Sequence, residues 1–154
     1  MISLYLSGGA NNTTPSASLG GPRSTSSVPR RLFSPVSEDQ FNTGVVLYRC
    51  VYVATDHTCG LIPWISVETP SAETTVALGW GTSPLGPEQA ILTGTDAPVG
   101  VSFISPYTPA EGVNGGSLSP GEYRPLWLRY TVTHTNAAPF VEAFLIVIDE
   151  TAPP

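Results

Sequence analysis

The chain contains no lysine. Its six cations are all arginines (Arg23, Arg30, Arg31, Arg49, Arg124 and Arg129), set against twelve acids in 154 residues. Charge of either sign is scarce, at 12% of residues, where soluble domains carry roughly 25%. Lysine is the strongly hydrated cation of free surfaces, whereas the planar fork of arginine suits interfaces. The composition therefore points to a surface partly covered by neighbours, although a host bias toward GC-rich codons yields the same pattern. The net charge of −6 argues against nucleic-acid binding by the folded body, because phosphate contact needs a clustered positive footprint. The only basic cluster, Arg23 with Arg30 and Arg31, lies in a Ser/Pro-rich stretch and reads as a docking or solvated segment.

Long apolar runs are also missing. Nothing approaches the roughly 20 residues that span a bilayer, so no membrane contact is expected. The opening Met1–Leu6 lacks the basic and apolar regions of a signal peptide. It reads as a short strand, and synthesis and retention in the cytoplasm of the producing cell are expected. Cysteine is limited to Cys50 and Cys59. A hairpin would not set them opposite each other, so free, buried thiols are the default. No amphipathic helix longer than two turns is present.

What remains is a β pattern. Val45–Ala54, Leu61–Val67 and Thr74–Trp80 are rich in β-branched and aromatic residues. Pro63, which lacks a donor, belongs at a sheet edge or bulge. Val101–Ile104 reads as a short strand. In Tyr123–Thr133, Leu126, Leu128, Tyr130 and Val132 fall on one face, with Trp127, Arg129, Thr131 and Thr133 on the other. Phe140–Ile148 is more uniformly apolar, with Glu142 as its one charge, and predicts a central strand covered on both faces. With 15 glycines and 16 prolines supplying turns, the fold class is all-β, a β-sandwich or jelly roll over residues 44–154. Residues 1–43 differ. Ser7–Ser27 holds Leu19 as its only large apolar residue and cannot offset its ordering entropy alone. It predicts an extended N-terminal arm, with Leu32, Phe33, Val36 and Phe41 as anchors and one helical turn within Ser34–Gln40.

Catalytic chemistry finds no footing. Asp56-His57-Thr58-Cys59, with His134 elsewhere, is the densest polar group, but one His-x-Cys and a remote histidine fall short of three or four metal ligands. No strained Gly-x-Ser-x-Gly turn marks a nucleophile. Glu68, Glu73 and Glu142 form no carboxylate pair specific to sugar hydrolysis, and the glycine-rich pieces do not open helices as phosphate loops do. No catalytic residue, cofactor or metal is expected, and the chain reads as a non-enzyme. Arg49 and Arg129 lie within apolar strands, so each is paired, aimed at another subunit, or on an exposed sheet face. Trp127 shares the face of Arg129, a hot-spot combination.

Several motifs carry a resemblance. They are Ser7-Gly8-Gly9, Ser18-Leu19-Gly20-Gly21, Tyr48-Arg49-Cys50-Val51-Tyr52-Val53, Glu68-Thr69-Pro70-Ser71, Gly79-Trp80-Gly81-Thr82-Ser83, and Ser119-Pro120-Gly121-Glu122-Tyr123 leading into Leu126-Trp127-Leu128-Arg129. Together they resemble small structural virion proteins of tailed bacteriophages; the stretch Pro22–Gly44 departs from the pattern. The resemblance implies a homo-oligomeric (dimer or trimer) cement or decoration protein on the capsid surface of the virion, bound to the major capsid protein and to copies of itself. A tail, baseplate or connector component is the next reading. A carbohydrate-binding module that stacks sugars on Trp64, Trp80 or Trp127 is the reading from another class. Interface candidates are Leu4, Leu6, Leu19, Arg23, Arg30, Arg31, Leu32 and Phe33 in the arm, with Trp127 and Arg129 in the body.

Overall fold

A computed structural model describes residues 1–67, 72–133 and 144–153. The chain is all-β, and every strand pairing among the described residues is antiparallel. Strands β1 (Ile2–Ser7), β2 (Gly20–Gly21), β3 (Arg23–Ser27), β4 (Val45–Thr55), β5 (Cys59–Val67), β6 (Thr74–Trp80), β7 (Glu88–Ala90), β8 (Ser117–Leu118), β9 (Tyr123–Val132) and β10 (Phe144–Thr151) follow in chain order. They form a five-stranded sheet, β3-β1-β4-β9-β6, a three-stranded sheet, β10-β5-β8, and a two-stranded ribbon, β2-β7. One short helix, α1 (Glu38–Thr43), sits in the segment before β4. Ser37 opens it with a capping box: its hydroxyl accepts from the Gln40 N–H, and Gln40 Oε1 accepts from the Ser37 N–H.

The alternation in β9 divides two apolar clusters. Leu126, Leu128, Tyr130 and Val132 face the larger cluster together with Val51 and Val53 of β4, Leu61 and Ile65 of β5, and Val76 and Leu78 of β6. Both main sheets thus contribute to one core. Trp127, on the opposite face, joins Tyr48 and Cys50, covered by Val46, Ile91, Val101 and Phe103. The long connection from β6 to β8 therefore folds over the outer face of the larger sheet. Val101–Ile104, expected as a strand, makes one bridge, Ile104 to Leu78, while Val101 and Phe103 cover Trp127.

The N-terminal segment is the largest departure from expectation. Instead of forming an arm, β1 pairs with β4 from Ile2↔Thr55 to Leu6↔Val51, and β3 pairs with β1. Hydrogen bonds supply what apolar side chains do not. Ser7, Ser18 and Ser24 are fully buried. The Ser7 and Ser18 hydroxyls donate to the Cys50 carbonyl at 2.9 and 2.5 Å, and Gly20 N–H donates to Ser7 Oγ at 2.9 Å. Gly20 has φ of +91°, and a Cβ there would collide with the Gln89 carbonyl oxygen, so only glycine lets β2 lie this close to β7.

The last strand is a second correction. Among the described residues, β10 lies at the edge of its sheet and pairs only with β5, and Leu145 on it is 56% exposed; Phe140–Ala143, the start of the expected strand, lie outside the described residues. Pro63 faces away from β10: the alternate residues Leu61 and Ile65 donate to Gly116 and Pro106 on the loop side, and the Pro63 carbonyl accepts there from Val113. Its missing donor is therefore not needed in the ladder. Among the described residues, no helix is long and apolar enough to cross a membrane.

Candidate functional site

The polar group seen in the sequence sits where three strand ends meet. The turn Asp56–Thr58 joins β4 to β5 and is closed by Thr55, whose hydroxyl donates to the His57 carbonyl at 2.8 Å. Antiparallel pairing of β10 with β5 sets Glu150 opposite Leu61 and Thr151 opposite Gly60, which brings the Glu150 carboxylate to the turn. His57 Nδ1 lies 2.7 Å from Asp56 Oδ1, and Nε2 lies 3.0 Å from Glu150 Oε2. The amino group of Met1 also donates to Asp56 Oδ1. Cys59 lies beneath, 2% exposed, with its thiol 3.6 Å from Thr55 Oγ1.

The electrostatics follow from these contacts. Bonding to Asp56, with the field of Glu150, raises the His57 imidazole above its ordinary value against a partial loss of solvent. The amino group of Met1 and then His57 pull Asp56 down to about 2. Both ring nitrogens face carboxylates, so His57 has no nitrogen turned toward a hydroxyl nucleophile. A shallow cleft of about 190 Å³ opens beside the turn, lined by Met1, Tyr5, Asp56 and Tyr123 among others, and His57 is not in its wall. Glu150 is the residue that sequence reasoning missed; ninety-three positions from His57, it is brought there only by the register of β10. His134, Glu68 and Glu142 lie outside the described residues.

The expected interface residues are mostly turned inward. Leu6 is 1% and Trp127 0% exposed, so neither can touch a neighbour from its position. Leu4, Leu32 and Phe33 are half-buried against the chain's own core, and Leu19 is half-buried. Arg23 is held between two rings, its guanidinium 3.9 Å from the Tyr123 centroid and 4.8 Å from that of Tyr5. Arg129 lies 5.0 Å from the Phe103 centroid. Only Arg30 and Arg31 of the ten are exposed. Arg49 is buried, donates to the Tyr48 carbonyl at 2.7 Å, and has no partner for Nε; its guanidinium lies 5.4 Å from the Phe33 ring.

The exposed apolar surface lies elsewhere. Leu85, Leu92 and Val99 are 47%, 93% and 80% exposed, all on the connection that covers Trp127. That connection is pinned. Gln89 brackets Val99, accepting from its N–H at 2.8 Å and donating to its carbonyl at 2.7 Å, and Asp96 accepts from the Thr93 N–H beside Leu92 at 2.8 Å. Glu88, nearly fully buried, accepts from the Thr82 hydroxyl and the Ser83 N–H.

No family model, curated protein or solved structure matches this chain.

The three tryptophans expected as a sugar platform are engaged. Trp127 is buried. Trp64 Nε1 donates to Asp149 at 3.0 Å. Trp80 Nε1 donates to the Val113 carbonyl at 2.9 Å, and Arg124 lies over its ring.

Proposed function

We propose that this chain is a structural virion protein of a tailed phage, a cement or decoration subunit that seats on the major capsid protein lattice and stabilises it. The observation that carries the structural-subunit reading is the pinned connection between β6 and β8, which holds Leu85, Leu92 and Val99 out into solvent. Isolated surface apolar residues are ordinary. Here five, these three with Ile104 and Tyr107, occur on one connection, in a chain with few charges and no lysine. A side chain presented from a hydrogen-bonded loop loses little further freedom on docking, which favours association. The choice of a phage capsid as the neighbour rests on the motif resemblance.

In the same proposal, the two main sheets form a jelly-roll sandwich. The chain passes from one sheet to the other at β4–β5–β6 and again at β8–β9–β10, β4, β9 and β6 are neighbours in one sheet, and β5 and β8 are neighbours in the other. That alternation is what two-sheet Greek-key folds require. Binding only the assembled lattice would stabilise it by mass action, and many copies would add their effects.

The test is co-sedimentation of the purified chain with capsids of the phage whose genome encodes it. The wild-type chain is expected to pellet with the capsids. A variant carrying Leu92→Glu and Val99→Glu is expected to fold normally and remain in the supernatant. If the wild-type chain stays unbound, or the variant binds as well as wild type, the reading fails.

A further inference from the structure

We infer that His57, Cys59 and Glu150 form a binding site for a zinc-class transition-metal ion. One ligand atom from each of the three lies within 4.8 Å of the other two, close enough for a single cation to gather them. The donor set is an imidazole nitrogen, a thiol sulfur and a carboxylate oxygen. Sulfur and nitrogen together select zinc or cobalt over magnesium or calcium, which take oxygen.

The hydrogen bonds around His57 point the same way. Asp56 Oδ1 lies 2.7 Å from Nδ1, which fixes the proton on that nitrogen and aims the other, Nε2, at Glu150. A carboxylate behind the imidazole of a metal ligand is the usual second layer of such a site, setting the tautomer and the ring orientation. A neutral ring turns a lone pair toward Glu150, so both carboxylates are satisfied only when the ring is doubly protonated or when a cation stands between Nε2 and the Glu150 oxygen. An ion between Nε2 and the Glu150 oxygen satisfies both at once while Nδ1–H continues to donate to Asp56.

Burial supplies the remaining features. The Cys59 thiol lies at the base, 2% exposed, with the Thr55 hydroxyl as its contact, while the His57 and Glu150 side chains are 49% and 39% exposed and leave an approach from solvent. On binding, the thiol proton passes to solvent and the thiolate bonds the ion. Three protein ligands leave the fourth tetrahedral position to water. The ion would tie the β4–β5 turn to β10, which among the described residues pairs with β5 alone.

The experiment is a titration of the reduced, chelator-stripped full chain with Co²⁺ alone, followed by absorption spectroscopy. One equivalent is expected to bind with a thiolate-to-cobalt charge-transfer band, and Zn²⁺ is expected to displace it. The band is lost in Cys59→Ser. Affinity falls at least about tenfold in His57→Gln and Glu150→Gln, and about 10- to 100-fold in Asp56→Asn. Because Cys59 is buried and its variant can misfold, the two exposed substitutions are decisive, with circular dichroism to establish that the fold is intact. No band in wild type, a band that persists in folded Cys59→Ser, or undiminished affinity in both His57→Gln and Glu150→Gln overturns the assignment.

Discussion

The Tyr52 hydroxyl accepts a hydrogen bond at 2.9 Å from the backbone N–H of Glu88. The same hydroxyl donates to the Gly21 carbonyl at 2.7 Å. One side chain of β4 thereby holds both members of the β2-β7 ribbon, and through β7 it anchors the connection that presents Leu85, Leu92 and Val99. Tyr52→Phe removes both bonds and leaves a donor and an acceptor without a partner. The expected loss is about 1–3 kcal/mol in urea unfolding, with faster amide hydrogen exchange in 88–99 than in β9. Unchanged exchange there would show that the ribbon does not depend on this anchor.

Glu88 makes stability depend on pH. Burial pushes its carboxyl up, but the bonds donated by Ser83 N–H and the Thr82 hydroxyl outweigh that, so its value lies below the ordinary 4.5. A depressed carboxyl contributes stability that is complete above the unfolded value and is lost as pH falls through the folded one. Wild-type stability is therefore expected to drop below the ordinary value of 4.5, and the Glu88→Gln variant to show a shallower drop over the same range. Parallel acid-unfolding curves for the two proteins would count against this role.

Trp127 separates packing from hydrogen bonding. Its ring is fully buried and its indole N–H has no partner. Trp127→Ala is expected to cost about 3–5 kcal/mol through the cavity it leaves. Trp127→Phe keeps most of the ring and removes an unsatisfied donor, so its cost should stay below about 1.5 kcal/mol. Guanidinium unfolding monitored by circular dichroism measures both.

Arg49 is a buried cation with no carboxylate within salt-bridge distance among the described residues, and loss of solvent lowers its guanidinium below the ordinary value. Arg49→Met keeps the aliphatic stem and removes the desolvated charge. The isolated variant is expected to be at least as stable as wild type, by up to about 1 kcal/mol. A loss of more than about 1 kcal/mol would mean that the Tyr48 carbonyl bond and the Phe33 ring outweigh the desolvation.

The strands with β-branched, alternating sequences were legible. Thr74–Trp80 ends where the pattern ends, and the two faces of β9 divide as the alternation requires, because a residue's face in a strand follows from parity alone. Position within a sheet was not legible. The apolarity of 140–148 suggested a central strand, yet its described part, β10, is an edge among the described residues, since local sequence does not record how many neighbours a strand has. The Ser-rich leader misled for a different reason. Composition counts apolar surface, whereas Ser7, Ser18 and Ser24 enter the interior as hydrogen-bonding groups whose partners, such as the Cys50 carbonyl and Asn12 carbonyl, are set by the fold. Glu150 was invisible beside His57 for the same reason, because only the β5–β10 register joins them.

A cement subunit works as one of many copies fixed to a capsid, and its copy number is therefore the most direct quantity to measure. Quantitative mass spectrometry of purified particles from cells encoding this chain, with the major capsid protein as internal standard, gives that number. The predicted result is a fixed stoichiometric ratio to the capsid protein, reproducible between preparations and set by the lattice. A few copies per particle would instead place the chain in the tail or baseplate, and absence from the particles would contradict the capsid role outright.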